Sequence, residues 1–173
     1  MDGARGVDQG ATVRELRVEV ALPLVFESLA ALGAESGYVA TVDPSGEKID
    51  VARVTEHSRR PVNLSFDLDA PYPLAETIRT RAPLLIPSNH QLECEHPGLV
   101  RVKPEDHACA TLPLFDGHGE LLGAINIAFD EPKPFSDAEL ELIDITATHC
   151  AEAMTAAEAL KSDLGLRAPN GAP

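Results

Sequence analysis

The 173-residue chain contains no tryptophan, two tyrosines and five phenylalanines, so no indole is available to line a ligand pocket. Its cysteines, Cys94, Cys109 and Cys150, are too few and too scattered to form a disulfide framework. Basic residues are also scarce: 14 Lys and Arg stand against 28 Asp and Glu, for a net charge of −14. Nucleic-acid binding draws its affinity from cations facing phosphates. Away from the N-terminus only Arg59-Arg60, followed by Arg79 and Arg81, lie close together. Nucleic acid is therefore excluded as an expected partner. No apolar run approaches the roughly 20 residues of a membrane helix, and the N-terminus lacks the basic and apolar regions of a signal peptide. The expectation is a cytoplasmic protein with no membrane partner.

What is present suits one globular domain: 44% hydrophobic and 24% charged residues, and a length sufficient to bury a core. The glycine-rich polar start, residues 1–11, reads as disordered, residues 12–161 as the domain, and residues 162–173 as a flexible tail. Val13, Leu16, Val20, Leu24, Leu29 and Leu32 mark a helix that Pro23 is expected to kink or divide. Gly37–Val42, the turn Asp43-Pro-Ser-Gly46 and Ile49–Val54 form a first hairpin. Val62–Leu68 reads as a short edge strand, Pro71–Arg81 as a short helix with a proline start, and Pro83–Ile86 as a strand. Ser88–Lys103 is the least regular part, a segment of lid or binding-loop length.

The C-terminal half is the most legible. Ala108–Phe115 and Leu121–Phe129 are apolar runs of strand length joined by the glycine-containing turn Asp116–Glu120. Phe135-Ser-Asp-Ala-Glu139 then opens a helix through a Ser-x-x-Glu capping box. In that helix Leu140, Ile143, Ala147, Cys150, Met154 and Ala157 form one apolar stripe, and Leu142, Ile145, His149, Ala153 and Leu160 a second, more mixed one. One stripe covers a sheet; the other needs the Thr12–Leu32 helix or a second copy of the chain.

Period-two spacing places His107, Cys109 and Thr111 on one sheet face and Ala108, Ala110 and Leu112 on the other. On the next strand Asn126 alternates with Ile125 and Ile127. The polar set either lines a ligand pocket or is a half-exposed face that tolerates polarity. The run His90–His96 adds His90, Cys94 and His96 in a loop able to fold over that face. With His107 or Cys109 these are ligand types suited to zinc or iron, although their spacing matches no standard metal motif and a solvated loop is the plainer reading.

The order of elements, with Pro73–Thr80, Leu84–Ile86 and Thr111–Ile127, resembles a complete GAF domain over roughly Val13 to Leu160, most of all those preceding serine phosphatase or histidine kinase modules in bacteria. The resemblance implies an α+β fold: an antiparallel sheet of five or six strands, terminal helices on one face, and a ligand pocket under short helices and loops on the other. It also implies a non-catalytic sensor of a bacterial signal-transduction system. Most relatives carry an output module after the last helix, so here an output protein acts in trans, or the chain is a fragment, or the domain works alone. The two-sided apolar helix points to a homodimer through the terminal helices. The ligand-binding set is then His107, Cys109, Thr111, Asn126, His90 and Cys94, with no catalytic residue, no assigned metal and an unknown cofactor.

Within the resemblance, the Asn-Lys pair of the cyclic-nucleotide branch is replaced by Phe129-Asp130. The His149-Cys150 dipeptide of the bilin-binding branch falls in the terminal helix. The alternatives are a metal- or haem-binding redox sensor and a thiol-dependent free methionine sulfoxide reductase. The reductase would use Cys94 and Cys109, but the family's glycine-flanked cysteine is absent and no tryptophan is available to line its pocket.

Overall fold

Thr12 starts the first helix with a complete capping box: its hydroxyl accepts from the Glu15 N–H at 3.2 Å, and its own N–H donates to the Glu15 carboxylate at 2.6 Å. The computed structural model describes residues 12–101 and 103–163. The segment read as disordered, 1–11, and tail positions 164–173 lie outside the described residues. Helix α1, Val13–Leu32, runs unbroken through Pro23 and ends at Gly33 in the left-handed region, φ 65°. The expected division at Pro23 does not occur. Pro23 is exposed between buried Leu22 and Val25, so the missing hydrogen bond falls on the wet side while packing holds the inner side.

Strands β1 (Ser36–Val42) and β2 (Lys48–Thr55) form the expected hairpin. In its turn Asp43 Oδ1 accepts from Glu47 and Lys48 N–H, and Gly46 supplies φ 75°. Strand β3 spans Ser58–Asp67, ten residues instead of the short edge strand expected from Val62. Its first half is polar and exposed because it pairs along one edge only, so no burial pattern marks it in the sequence. Helix α2 (Pro73–Thr80), strand β4 (Leu84–Ile86), helix α3 (Asn89–Glu95), strands β5 (Ala108–Phe115) and β6 (Leu121–Phe129) and helix α4 (Asp137–Asp163) complete the chain. Helix α3 interrupts the segment expected to be irregular: Ser88 caps it, its hydroxyl accepting from Gln91 N–H, and Leu92 anchors it. Helix α4 continues two residues into the expected tail.

The sheet is six-stranded and antiparallel, ordered β3-β2-β1-β6-β5-β4. On one face α1 and α4 pack against each other and bury Val39, Ile125, Ile127 and Phe129 with Leu29, Ile143, Cys150 and Met154. On the other, α2 and α3 cover Tyr38, Ala40, Ile49, Val51, Ile86, Cys109, Ala124 and Ala128. Two glycines permit this closeness. A Cβ at Gly37 would lie 2.3 Å from Val25 Cγ1, and one at Gly123 only 2.2 Å from the Ala40 carbonyl oxygen.

Helix α4 opens with the expected box: Ser136 N–H donates to Glu139 Oε2 at 2.9 Å, and Glu139 N–H to Ser136 Oγ at 3.3 Å. Lys133 pairs with the same carboxylate at 2.7 Å. Bonds from Lys133 and Ser136 draw the Glu139 carboxyl down to about 2. Its stabilising contribution is therefore complete above the ordinary glutamate range and disappears as pH falls toward 2. Ser136→Ala should cost about 1 kcal/mol in urea denaturation at neutral pH.

Candidate functional site

Strand register assembles a polar row across the sheet face that carries α2 and α3. Arg53 on β2 is opposite Tyr38 on β1, Tyr38 is opposite Asn126 on β6, and Asn126 is opposite Thr111 on β5. Such opposed pairs are the closest side-chain neighbours a sheet offers. Asn126 Nδ2 donates to Thr111 Oγ1 at 2.6 Å, and the Arg53 guanidinium lies 5.8 Å from the centre of the Tyr38 ring. Above the row, Tyr38, Pro73, Leu74, Arg101, Asp106, Cys109 and Asn126 line a small cavity of ≈ 20 Å³, room for about one water molecule.

The cavity's two charged residues come from the connection between α3 and β5. Arg101 is fixed by two of its nitrogens: Nε donates to Asn89 Oδ1 at 3.1 Å and Nη2 to the His107 carbonyl at 3.0 Å. Asn89 Nδ2 lies 3.2 Å from His107 Nδ1. Because the Asn89 oxygen is taken by a guanidinium, its amide nitrogen must donate, which leaves His107 Nδ1 as the acceptor. The third Arg101 nitrogen, Nη1, is buried without a partner. Asp106, 5% exposed, receives the Tyr38 hydroxyl at 3.4 Å on Oδ2, while its Oδ1 is buried and unpartnered.

Burial raises the Asp106 carboxyl above its ordinary value, against the opposing pull of Lys103, Arg53 and Arg101. Burial also raises the Tyr38 phenol to about 12 and pushes the Cys109 thiol up. The sign for Asp106 follows from linkage. The folded chain holds this proton more tightly than the unfolded chain, so stability falls as pH rises from the ordinary carboxylate value through the raised one. Asp106→Asn should therefore melt higher than wild type at neutral pH and lose that advantage in acid below the ordinary aspartate range, a pair of melting curves that checks the assignment.

Of the residues selected from the sequence, the structure brings Cys109 and Asn126 to the cavity. Thr111 lies on the same face, fully buried beside Asn126. His107 is not in the cavity lining; its ring pairs with Asn89 and its carbonyl accepts from Arg101. His90 and Cys94 are one turn apart on the exposed side of α3, Cys94 Sγ 3.7 Å from His90 Nε2, and do not reach the cavity lining. Among the described residues, His90, Cys94, His96, His107 and Cys109 bring no three ligand atoms within 4.8 Å, so they form no metal-binding constellation; the group of three that does is Glu35, Glu56 and His57, largely exposed. Cys150 packs under α1, its Sγ 3.7 Å from the Ala21 carbonyl, with the thiol raised to about 12 by burial, while His149 is exposed.

The sequence pattern does not single out Tyr38, Arg53, Arg101 or Asp106. Extending the Asn126 period across the β1 register would have found Tyr38 and Arg53. Nothing local marks Arg101 or Asp106.

A six-stranded antiparallel sheet with two long helices on one face, and a small polar cavity under short helices on the other, defines the class as a two-faced α+β domain. The chain belongs to the GAF domain family, whose model matches residues 15–155. The GAF-B domain of DevS from Mycobacterium smegmatis superposes with a TM-score of 0.66 at 16% identity, over 85% of this chain and 98% of that one. The type II free methionine-R-sulfoxide reductase from Thermoplasma acidophilum gives 0.64 at 14%, over 84% and 96%. The GAF domain of a phosphoenolpyruvate-protein phosphotransferase from Coxiella burnetii gives 0.61 at 18%, over 87% and 86%. No curated protein matches the chain.

Proposed function

We propose that this GAF domain is a non-catalytic sensor of bacterial signal transduction that binds a small molecule in the cavity over Tyr38, Cys109 and Asn126. The observation that carries this reading is the buried polar row facing α2 and α3, with hydrogen-bonding groups left unpartnered at its end. Binding there would act on the α2–α3 side, and the sheet would transmit it to α1 and α4. The cytoplasm is the proposed setting, with two chains associating through the terminal helices and an output protein acting in trans. Ile145 and Leu160, 43% and 61% exposed, are apolar positions on α4 that such an association would cover.

The likeness to a sulfoxide reductase, with Cys109 in the cavity wall, keeps a second reading in play. A catalytic cysteine needs thiolate character. Burial moves Cys109 the other way, and Cys94 is on the exposed side of α3. The test incubates the protein with free methionine sulfoxide and a thiol reductant. Reductant consumption that disappears on joint replacement of Cys94 and Cys109 by serine would establish an enzyme. No turnover, with a small molecule still raising the melting temperature, supports the sensor.

A further inference from the structure

Helix α4 has two flanks above the sheet, and helix α1 packs along one of them. Along the other, α4 and strand β5 border an open groove of ≈ 740 Å³ that reaches from Asp144 to Ala159, about 22 Å of helix. On the α4 side Ala147, Ala151, Thr155 and Ala159 recur every four residues, so this ridge carries nothing longer than threonine and another backbone can come close. The facing wall is apolar: Pro83 and the half-buried Leu112, Pro113 and Phe115. A groove of this length between a low ridge and an apolar wall accepts the apolar face of a helix.

The charges along the groove decide which helix. Asp144 and Glu152 are exposed, about two turns apart on α4, and among the described residues neither joins an ion pair. The cation of the lining, Arg81, is already engaged: its Nη2 donates to the Gly119 carbonyl at 2.7 Å, and its guanidinium lies 5.4 Å from the centre of the Phe115 ring. A second copy of this chain is a poor occupant. Its α4 carries seven acids and one lysine, and the arginines of its α1, Arg14 and Arg17, are held by Asp50 and Glu158. We infer that the groove between α4 and β5 docks a basic amphipathic helix of another protein. The apolar face of that helix lies over Ala151 and Thr155, and Lys or Arg residues two turns apart pair with Asp144 and Glu152. The surface itself needs no ligand in the Cys109 cavity; it rests on the sensor reading only for the partner's role as the output protein.

The test follows the fluorescence anisotropy of a labelled helical peptide of about 15 residues, the length of the groove, with Leu and Ala on one face and Lys on the other, titrated with the full chain. Two further peptides serve as controls, one with Glu in place of Lys and one with the same composition in scrambled order. The expected result is saturable binding of the Lys peptide, at least about tenfold weaker for either control. Thr155→Trp, which fills the groove from an exposed position, and Asp144→Lys/Glu152→Lys should each weaken binding at least about tenfold. Glu19→Lys/Glu93→Lys makes the same change in net charge at exposed positions away from the groove, and should stay within about threefold of wild type.

Equal binding of the scrambled peptide, or binding that survives both groove variants, would assign the affinity to overall charge and overturn the inference. No binding of the Lys peptide would overturn it too. So would light scattering in which Thr155→Trp turns a dimer into a monomer, because the occupant would then be a second copy. The peptide series uses the unaltered protein, so it decides the matter even if a variant fails to fold. None of these outcomes touches the sensor reading, which stands or falls on a small molecule raising the melting temperature.

Discussion

Gly123→Ala is expected to lower the melting temperature by roughly 10 °C, corresponding to upward of about 3 kcal/mol in a domain of this size. The added Cβ would stand 2.2 Å from the Ala40 carbonyl oxygen and 3.3 Å from its carbon, on the strand β1 that pairs directly with β6. A backbone carbonyl cannot rotate away as a side chain can, so β1 and β6 must separate at the centre of the sheet. Gly37→Ala is the informative control. Its Cβ would meet Val25 Cγ1 at 2.3 Å, a side-chain contact that Val25→Ala removes. The Gly37/Val25 double variant should therefore lose less than the sum of its singles, whereas truncating Thr41, whose Cγ2 lies 3.6 Å from the same Gly123 position, should rescue nothing. Thermal and urea denaturation of the five variants separate the two cases. A Gly123→Ala protein that melts like wild type would mean the strands are farther apart than described.

The legibility of this chain follows from how each residue is partnered. Ala108–Phe115, Leu121–Phe129 and Ser136–Met154 could be read because burial on a sheet face or helix stripe imposes a period, and turn and cap residues punctuate it. The face assignment on β5 followed from the same period: Ala108 and Ala110 lie with the terminal helices, Cys109 with α2 and α3. The first half of strand β3 is not legible in the sequence because an edge strand with Arg59, Arg60 and Pro61 carries the residues that discourage further pairing, and these look like loop residues. Helix α3 is not legible because seven residues with one buried side chain, Leu92, form no stripe.

The site divides along the same line. Asn126 and Cys109 were visible because strands place side chains by parity. Arg101 and Asp106 were not, because their positions depend on where a connection of irregular backbone returns to the sheet, and on contacts to Asn89, His107 and Tyr38 that are distant in sequence or set by α3. His90 and Cys94 suit a ligand by residue type alone. On a helix of one exposed side, residue type does not decide direction.

Met154→Ala should cost about 2–5 kcal/mol, the second large effect expected, because the side chain is fully buried where α4 meets the α1-facing core and its removal leaves a cavity. Leu160→Asp, nearer the end of the same helix, addresses the other stripe. Leu160 is 61% exposed in the single chain, so its replacement should move monomer stability by no more than about 0.5 kcal/mol. Ile145→Asp, at a site 43% exposed, belongs with it. The two stripes thus give opposite signatures when unfolding is followed at several protein concentrations. Met154→Ala lowers stability at every concentration. If two chains associate through α4, wild-type stability rises with concentration and Ile145→Asp/Leu160→Asp removes that dependence while leaving the dilute limit unchanged. A wild-type melting temperature independent of concentration, with an 18.4 kDa species throughout, would assign the outer stripe to solvent and remove the proposed dimer.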